Sequence, residues 1–459
     1  MTPRFDLSTA FPNGVTRRNV LAFGAALSGT ALLAACAGPS VGGDVGSAAS
    51  ATPAQDWTNI KPASSITWWT NHPGNSMATE QAIIDGFQAA NPGIVVNMVT
   101  AGANYDEIAQ KFQAASGTDS VPDLVGASDV WWFRYMINQQ IIPLDDLAAH
   151  LDANTDDFNS TLYGDYEYNG SHWAMPYARS TPLFYYNKSL WSAAGLPDRA
   201  PATWDEFDEW APKLSAVMNG AAPLGIGKGT SWAAWWFCNI MWGKGGAYSS
   251  DWTMKLDQPE TLEAGEYLRA IINEKKSATV SATDSAADFG AGLSACTVAS
   301  TGALTGILKS STFDVGTGFL PAGPKGAFTP TGGTGMAIPS GKTPEQQLAA
   351  GMFLKYLTDA EQTATFSAAT GYMPVRTSAM DGATMSAIYT QKPQFRTAVD
   401  QLKNARSQDW ARSFVPSGDK YLTTALEQIM LQNSAAADVF PKASADITTS
   451  YEQNVVPYL

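Results

Sequence analysis

Strand-like and helix-like segments alternate along the chain at a spacing that few folds can use. The run SITWWTN (65–71) has the aromatic and β-branched content of a strand. An apolar pattern of helical period follows from Met77 to Ala90 and stops at NPG. IVVNMV (94–99) is a second strand, Tyr105, Ile108 and Phe112 mark a second helix, and PDLVGAS (122–128) is a third strand. Strands separated by single helices imply βαβ units and a mostly parallel sheet. Ligands of such sheets bind beyond the carboxyl ends of the strands, which puts Asn71, His72, Asp129 and the loop at Tyr105 on one rim. The alternation resumes after STPLFYYNK (180–188), whose aromatic run is a buried strand with Ser180 at its mouth. A chain of 459 residues exceeds one ordinary core, so two or three domains are expected.

The amino terminus predicts export. Arg17 and Arg18 precede the uncharged stretch NVLAFGAALSGTALLAAC, too short to span a bilayer comfortably. Paired arginines suggest the twin-arginine route, and LLAAC resembles a lipobox that would make Cys36 a lipidated first residue. Residues 1–36 are therefore expected to be the signal peptide and 37–60 a Gly/Ala/Ser-rich flexible tether. The folded body starts near Ile66 and is held outside the membrane, so the expected location is extracytoplasmic and lipid-anchored at the cell membrane. Cys238 and Cys296 remain; they are read as core residues, although sequence alone leaves a disulfide between them open.

The formal net charge of -14 argues against a nucleic-acid partner, which needs a basic face. Three histidines without metal-ligand spacing argue against a metal site. GIGKG (225–229) is a glycine-rich turn, and Ser417 and Lys420 match S-x-x-K without the motifs that should accompany it. The carboxylates of ATWDEFDEW (202–210) belong to a capped amphipathic helix, Thr203 and Glu206 having capping-box spacing. Of fifteen tryptophans most must fill cores, but Trp232 and Trp235 open a helix after a glycine-rich loop, where a ring can face either cleft or core. CTVASTGALTGILKSS (296–311) feeds a strand into a helix through Ser300, Thr301 and Gly302. Such a turn either offers free backbone N–H groups to an anion or is an ordinary N-cap.

STPLFYYNKSLWSAAGLP, PATWDEFDEW, ASTGAL, PTGGTGMAIPSG, FLKYLT and ATGYMPVRTSA occur in an order that resembles the family 1 extracellular solute-binding proteins of ABC importers. Within that family they resemble the branch for glycerol-3-phosphate and glycerophosphodiesters such as glycerophosphocholine. The resemblance implies an α/β, two-lobed periplasmic-binding-protein fold, type II-like and hinged by crossing strands. Lobe 1 is expected at 61–176 and 336–392, lobe 2 at 177–335 and 393–459. It implies that Tyr105 and Asp129 hold the glycerol hydroxyls. Ser180, Ser300, Gly333, Tyr372 and Arg412 would hold the phosphate, and Trp232 and Trp235 would pack on the glycerol or the substituent beyond it. Arg179 adds charge nearby without a contact role. Trp232 is bulky, as in relatives that take glycerol-3-phosphate, whereas NHPGNS, DVWWFRYM and DYEYNG resemble the diester branch. The resemblance further implies a monomer with no catalytic residue, cofactor or metal, partnered by a membrane permease with its ATPase. An oligosaccharide-binding member of the same family and a secreted glycosidase are the rival readings.

Overall fold

The computed structural model describes residues 55–459. Arg17, Arg18, Cys36 and most of the expected tether lie outside the described residues. Within that tether, Trp57 is 6 % exposed and packs into the first core, so the folded body begins before residue 61.

Ten strands form two five-stranded sheets: β1 (Ser65–Thr70), β2 (Val95–Thr100), β3 (Leu124–Ser128), β4 (Met175–Ser180), β5 (Pro182–Asn187), β6 (Leu224–Ile226), β7 (Ala278–Val280), β8 (Cys296–Ser300), β9 (Val315–Gly318) and β10 (Gly332–Ala337). The first sheet has the order β2-β1-β3-β10-β4 and the second β7-β6-β8-β5-β9. In the first, β1 runs parallel to β2 and β3, while β10 is antiparallel to both of its neighbours. The second repeats the pattern, with β5 as its antiparallel member. Each antiparallel strand is therefore contributed by chain that has just left the other sheet. This is the two-lobed α/β architecture with crossing strands that the resemblance implies.

The crossings lie a few residues from where they were expected. The chain leaves the first sheet at Thr181, because the ladder between β4 and β10 continues to the pair Ser180 and Gly332. It re-enters at Gly332, so the boundaries placed after residues 176 and 335 both fall inside strands.

Local chemistry explains the elements around these sheets. In β1, Ile66, Trp68 and Thr70 point inward, and Trp68 meets Phe353 and Tyr177 edge-on. Asn104 caps the helix Tyr105–Ala115 by accepting from the Glu107 N–H at 2.9 Å, which fixes where Tyr105 stands. Thr203 accepts from the Glu206 N–H at 3.0 Å, and Glu206 pairs with Arg199, as expected for a capped surface helix. Cys238 and Cys296 are buried free thiols that donate to the carbonyls of Ala234 and Pro223. Burial pushes both thiols above their ordinary range, so they are inert core groups. Among the described residues no helix is long and apolar enough to cross a membrane.

Candidate functional site

The carboxyl ends of both sheets face one cavity of about 260 Å³. From the first sheet come Asp129, directly after β3, Ser180 at the end of β4, and Gly332 and Gly333 at the start of β10. Tyr105, which opens the helix after β2, and Tyr372 complete that wall. From the second come Ser300 at the end of β8 and Thr230, Ser231, Trp232 and Trp235 after β6. Eight of the nine expected residues thus line one space.

Close backbone approach shapes the floor. Gly333 has φ +104, and a Cβ there would lie 2.1 Å from the Ala178 carbonyl oxygen. A Cβ on Gly332 would lie 2.5 Å from the Trp235 indole nitrogen. Only glycine leaves the strand flat against both neighbours. The Trp235 indole donates to the Thr331 carbonyl at 2.9 Å, which locks its ring against the crossing segment. Trp232 then stacks on it with centroids 5.3 Å apart and planes 19° off parallel. Both rings line the cavity, Trp235 while almost wholly buried. Opposite, the Tyr105 and Tyr372 hydroxyls stand 3.5 Å apart. Burial pushes both phenols up, so each keeps its proton and can donate to a ligand.

The turn at Ser300 differs from the expected cradle of free amides. The Thr301 N–H donates to the Thr181 carbonyl at 3.0 Å and the Gly302 N–H to Ser300 Oγ at 3.1 Å. Ser300 is an N-cap, so the cavity meets its side chain and not a row of open N–H groups.

Arg412 also stands apart from its expected place. It is 1 % exposed and lines a neighbouring chamber of about 400 Å³ rather than the cavity itself. Its Nη1 lies 3.2 Å from Asp129 Oδ2, and its Nε lies 2.6 Å from Asp419 Oδ1. Gln408 bonds both Arg412 and Asp129. Burial alone would push this guanidinium down, but Asp419 and then Asp129 hold it above its ordinary value. Arg179 does not line the cavity either. Its guanidinium is held by the Asp165 carboxylate and donates to the Tyr166 hydroxyl at 2.8 Å. Burial pushes Asp165 up, against the opposing pull of Arg179.

Thr230, Ser231 and Gly332 were not anticipated. The loop carrying the first two is pinned by carboxylates, the Gly229 N–H donating to Glu427 at 2.9 Å and the Ser231 N–H to Asp419 at 2.6 Å. The rim residue His72 contacts Glu80 at 2.5 Å and Thr100 at 2.7 Å, which commits both ring nitrogens. Among the described residues no group of three or more His, Cys, Asp or Glu could hold a metal ion.

The comparisons with known proteins agree with this geometry. UgpB from Mycobacterium tuberculosis, whose crystal structure was determined in complex with glycerophosphocholine, superposes with a TM-score of 0.82 at 42% identity, over 85% of this chain and 99% of that one. The sn-glycerol-3-phosphate-binding periplasmic protein UgpB of Escherichia coli (strain K12) is 25% identical over 365 residues, which are 75% of this chain and 82% of that protein. The GacH receptor of Streptomyces glaucescens shares the fold at 20% identity, with a TM-score of 0.73 over 87% of this chain and all of that one. The family model described as bacterial extracellular solute-binding protein matches residues 82–397, well over half of the sequence, and the chain belongs to that family.

Proposed function

We propose that this chain is the non-catalytic, monomeric capture component of an ABC importer, taking up glycerophosphodiesters such as glycerophosphocholine in preference to sn-glycerol-3-phosphate. It is exported through its paired arginines and held outside the membrane by lipid on Cys36. There it delivers ligand to the transmembrane permease and its ATPase. The observation that carries the reading is the cavity between the carboxyl ends of the two sheets, lined by Tyr105, Asp129, Ser180, Trp232, Trp235, Ser300, Gly333 and Tyr372. Its support is the relative at 42% identity solved with glycerophosphocholine.

The preference for a diester follows from charge. The guanidiniums nearest the cavity are already met, Arg412 by Asp129 and Asp419 and Arg179 by Asp165. Three carboxylates against two guanidiniums leave no surplus positive charge. A phosphomonoester carries roughly −1.5 to −2 at pH 7, whereas a diester carries a single charge. A choline substituent adds a cation, which a tryptophan face attracts by roughly 0.5–2 kcal/mol. The stacked Trp232 and Trp235 offer such a face. In this arrangement Tyr105 and Asp129 bind the glycerol hydroxyls, and Ser180, Ser300 and Tyr372 donate to the phosphate. Arg412 then acts on the ligand through Asp129.

Calorimetric titration of the purified protein tests this. Glycerophosphocholine should bind more tightly than sn-glycerol-3-phosphate, and maltotriose should give no heat. Heat with maltotriose alone would move the chain to the oligosaccharide-binding branch.

A further inference from the structure

We infer that the protein takes up a proton together with its anionic ligand, and that Asp165, which does not line the cavity, is the group that receives it. This rests on the phosphate-ester reading and adds a pH dependence to that site. The charges nearest the cavity are the carboxylates Asp129, Asp165 and Asp419 and the guanidiniums Arg179 and Arg412. Both guanidiniums are already met, so the set carries one negative charge in excess. In the proposed arrangement the phosphate is held by Ser180, Ser300 and Tyr372. Ser180 follows Arg179 in the chain, and Tyr372 precedes Met373, whose N–H donates to the Arg179 carbonyl at 3.0 Å. The anion therefore lies against the wall that Arg179 backs, while a choline ammonium lies on the tryptophan pair opposite. A second negative charge beside a network shielded from water is opposed by weakly screened repulsion. Converting one carboxylate into a carboxylic acid relieves it.

Hydrogen bonding selects the carboxylate. Asp129 is met by Gln408 Nε2 and by Arg412, and Asp419 by Arg412 and the Ser231 N–H at 2.6 Å. These partners are N–H donors, and the Gln408 carbonyl is turned to Arg412, so a proton on either carboxylate would meet another proton. Asp165 differs. Ser407 Oγ donates to its Oδ1 at 2.5 Å, and a hydroxyl can reverse its bond. The proton comes from solvent and lands on Oδ1, which then donates to Ser407 Oγ. Ser407 is exposed, so its own hydrogen turns out to water. The Asp165 side chain is 6 % exposed and shares a chamber of about 190 Å³ with Asp129 and Glu167. Arg179 and Tyr166 are the other titratable groups beside it. Burial already pushes Asp165 up, Arg179 opposes that, and Asp129 adds to the rise. Once Asp165 is neutral, Arg179 stands as an uncompensated cation behind the phosphate. Its Nε, wholly buried, has no hydrogen-bond partner among the described residues.

The experiment is calorimetric titration of the full chain with glycerophosphocholine, which has no group that titrates near neutrality. In MOPS and in Tris at one pH the heats should differ in proportion to the protons taken up. The dissociation constant should rise with pH by up to about tenfold per unit wherever Asp165 is ionised alone but protonated beside the ligand, and level off on both sides of that window. Asp165→Asn mimics the neutral form, so the two buffers should give equal heats, corrected for dilution, and the affinity should no longer follow pH. Ser407→Ala removes an exposed hydroxyl that donates to the ionised form and accepts from the neutral one, so uptake should fall at every pH. Glu167→Gln, at the exposed carboxylate of the same chamber, should keep the uptake. Equal heats for the unaltered chain at every pH overturn the linkage and leave the phosphate-ester reading standing. Uptake that survives Asp165→Asn, is unchanged in Ser407→Ala or is lost in Glu167→Gln overturns the assignment to Asp165. No binding in either buffer overturns the phosphate-ester reading, and the linkage with it.

Discussion

Arg412 is a charge almost wholly removed from water and shared between carboxylates from two sides of the cleft. Breaking a buried pair by deleting one partner costs about 3–5 kcal/mol, because the remaining charge keeps its desolvation penalty. Arg412→Met should lower the unfolding free energy by about that amount in urea titration, and adding Asp419→Asn should restore much of it. A loss below about 1 kcal/mol in the single variant, the size typical of an exposed pair, would show that the guanidinium is not buried as described. Four of the eight cavity residues, Ser180, Ser300, Gly333 and Tyr372, sit in the motifs RSTP, ASTG, TGGTG and TGYMP, on which the family resemblance drew; Tyr105 and Asp129 were also assigned through that resemblance, while the spacing of Trp232 and Trp235 left cleft and core equally open. The surroundings of Arg412 were not legible, since Asp129 lies 283 positions away and no local pattern announces that pairing. Ser231 was missed for a similar reason. Its left-handed φ of 62 follows GIGKG, which reads as a plain turn until Glu427 and Asp419 are seen to hold its amides.

At the level of elements, the parallel strands β1, β2 and β3 could be read from alternation, and CTVAS and PLFYYNK were recognisable as strands; the short β6, whose Gly225 and Ile226 were read as part of a glycine-rich turn, and β7 were not. What alternation cannot encode is that β5 and β10 run antiparallel, each in the sheet opposite to its predecessor, because that depends on where the chain crosses, at Thr181 on the way out and between Gly318 and Gly332 on the way back. One side chain ties these crossings together. Gln401, at the end of the helix Gln394–Gln401, donates to the Pro182 carbonyl at 2.8 Å and to Thr181 Oγ1 at 3.2 Å, and accepts from the Leu320 N–H at 2.8 Å. It is 1 % exposed, so no water replaces it when it is lost. Gln401→Leu should therefore destabilise by about 1–3 kcal/mol, the cost of leaving buried backbone groups unpaired. Hydrogen exchange should rise first at residues 181–183 and 319–321. Uniform acceleration across both sheets would contradict a clasp at the crossings.

For the molecule as a whole, the two lobes share a core. Trp68, Tyr177 and Met336 of the first sheet belong to the same buried cluster as Leu183, Tyr185 and Ala299 of the second. A continuous cluster cannot be exposed on one side alone, so the lobes should unfold together even though each has its own sheet. Tryptophan fluorescence and far-ultraviolet circular dichroism should then give coincident transitions. A ligand bridging Tyr105 and Asp129 to Trp232 and Ser300 binds only the assembled form. At a free concentration of 100 times its dissociation constant it should raise the unfolding free energy by about 2.7 kcal/mol in both signals equally. Two resolved transitions, only one of them raised by glycerophosphocholine, would mean that the ligand contacts a single lobe. Closure of the cleft would then need a driving force other than the shared ligand, because a molecule with no differential contact between open and shut forms cannot shift their balance.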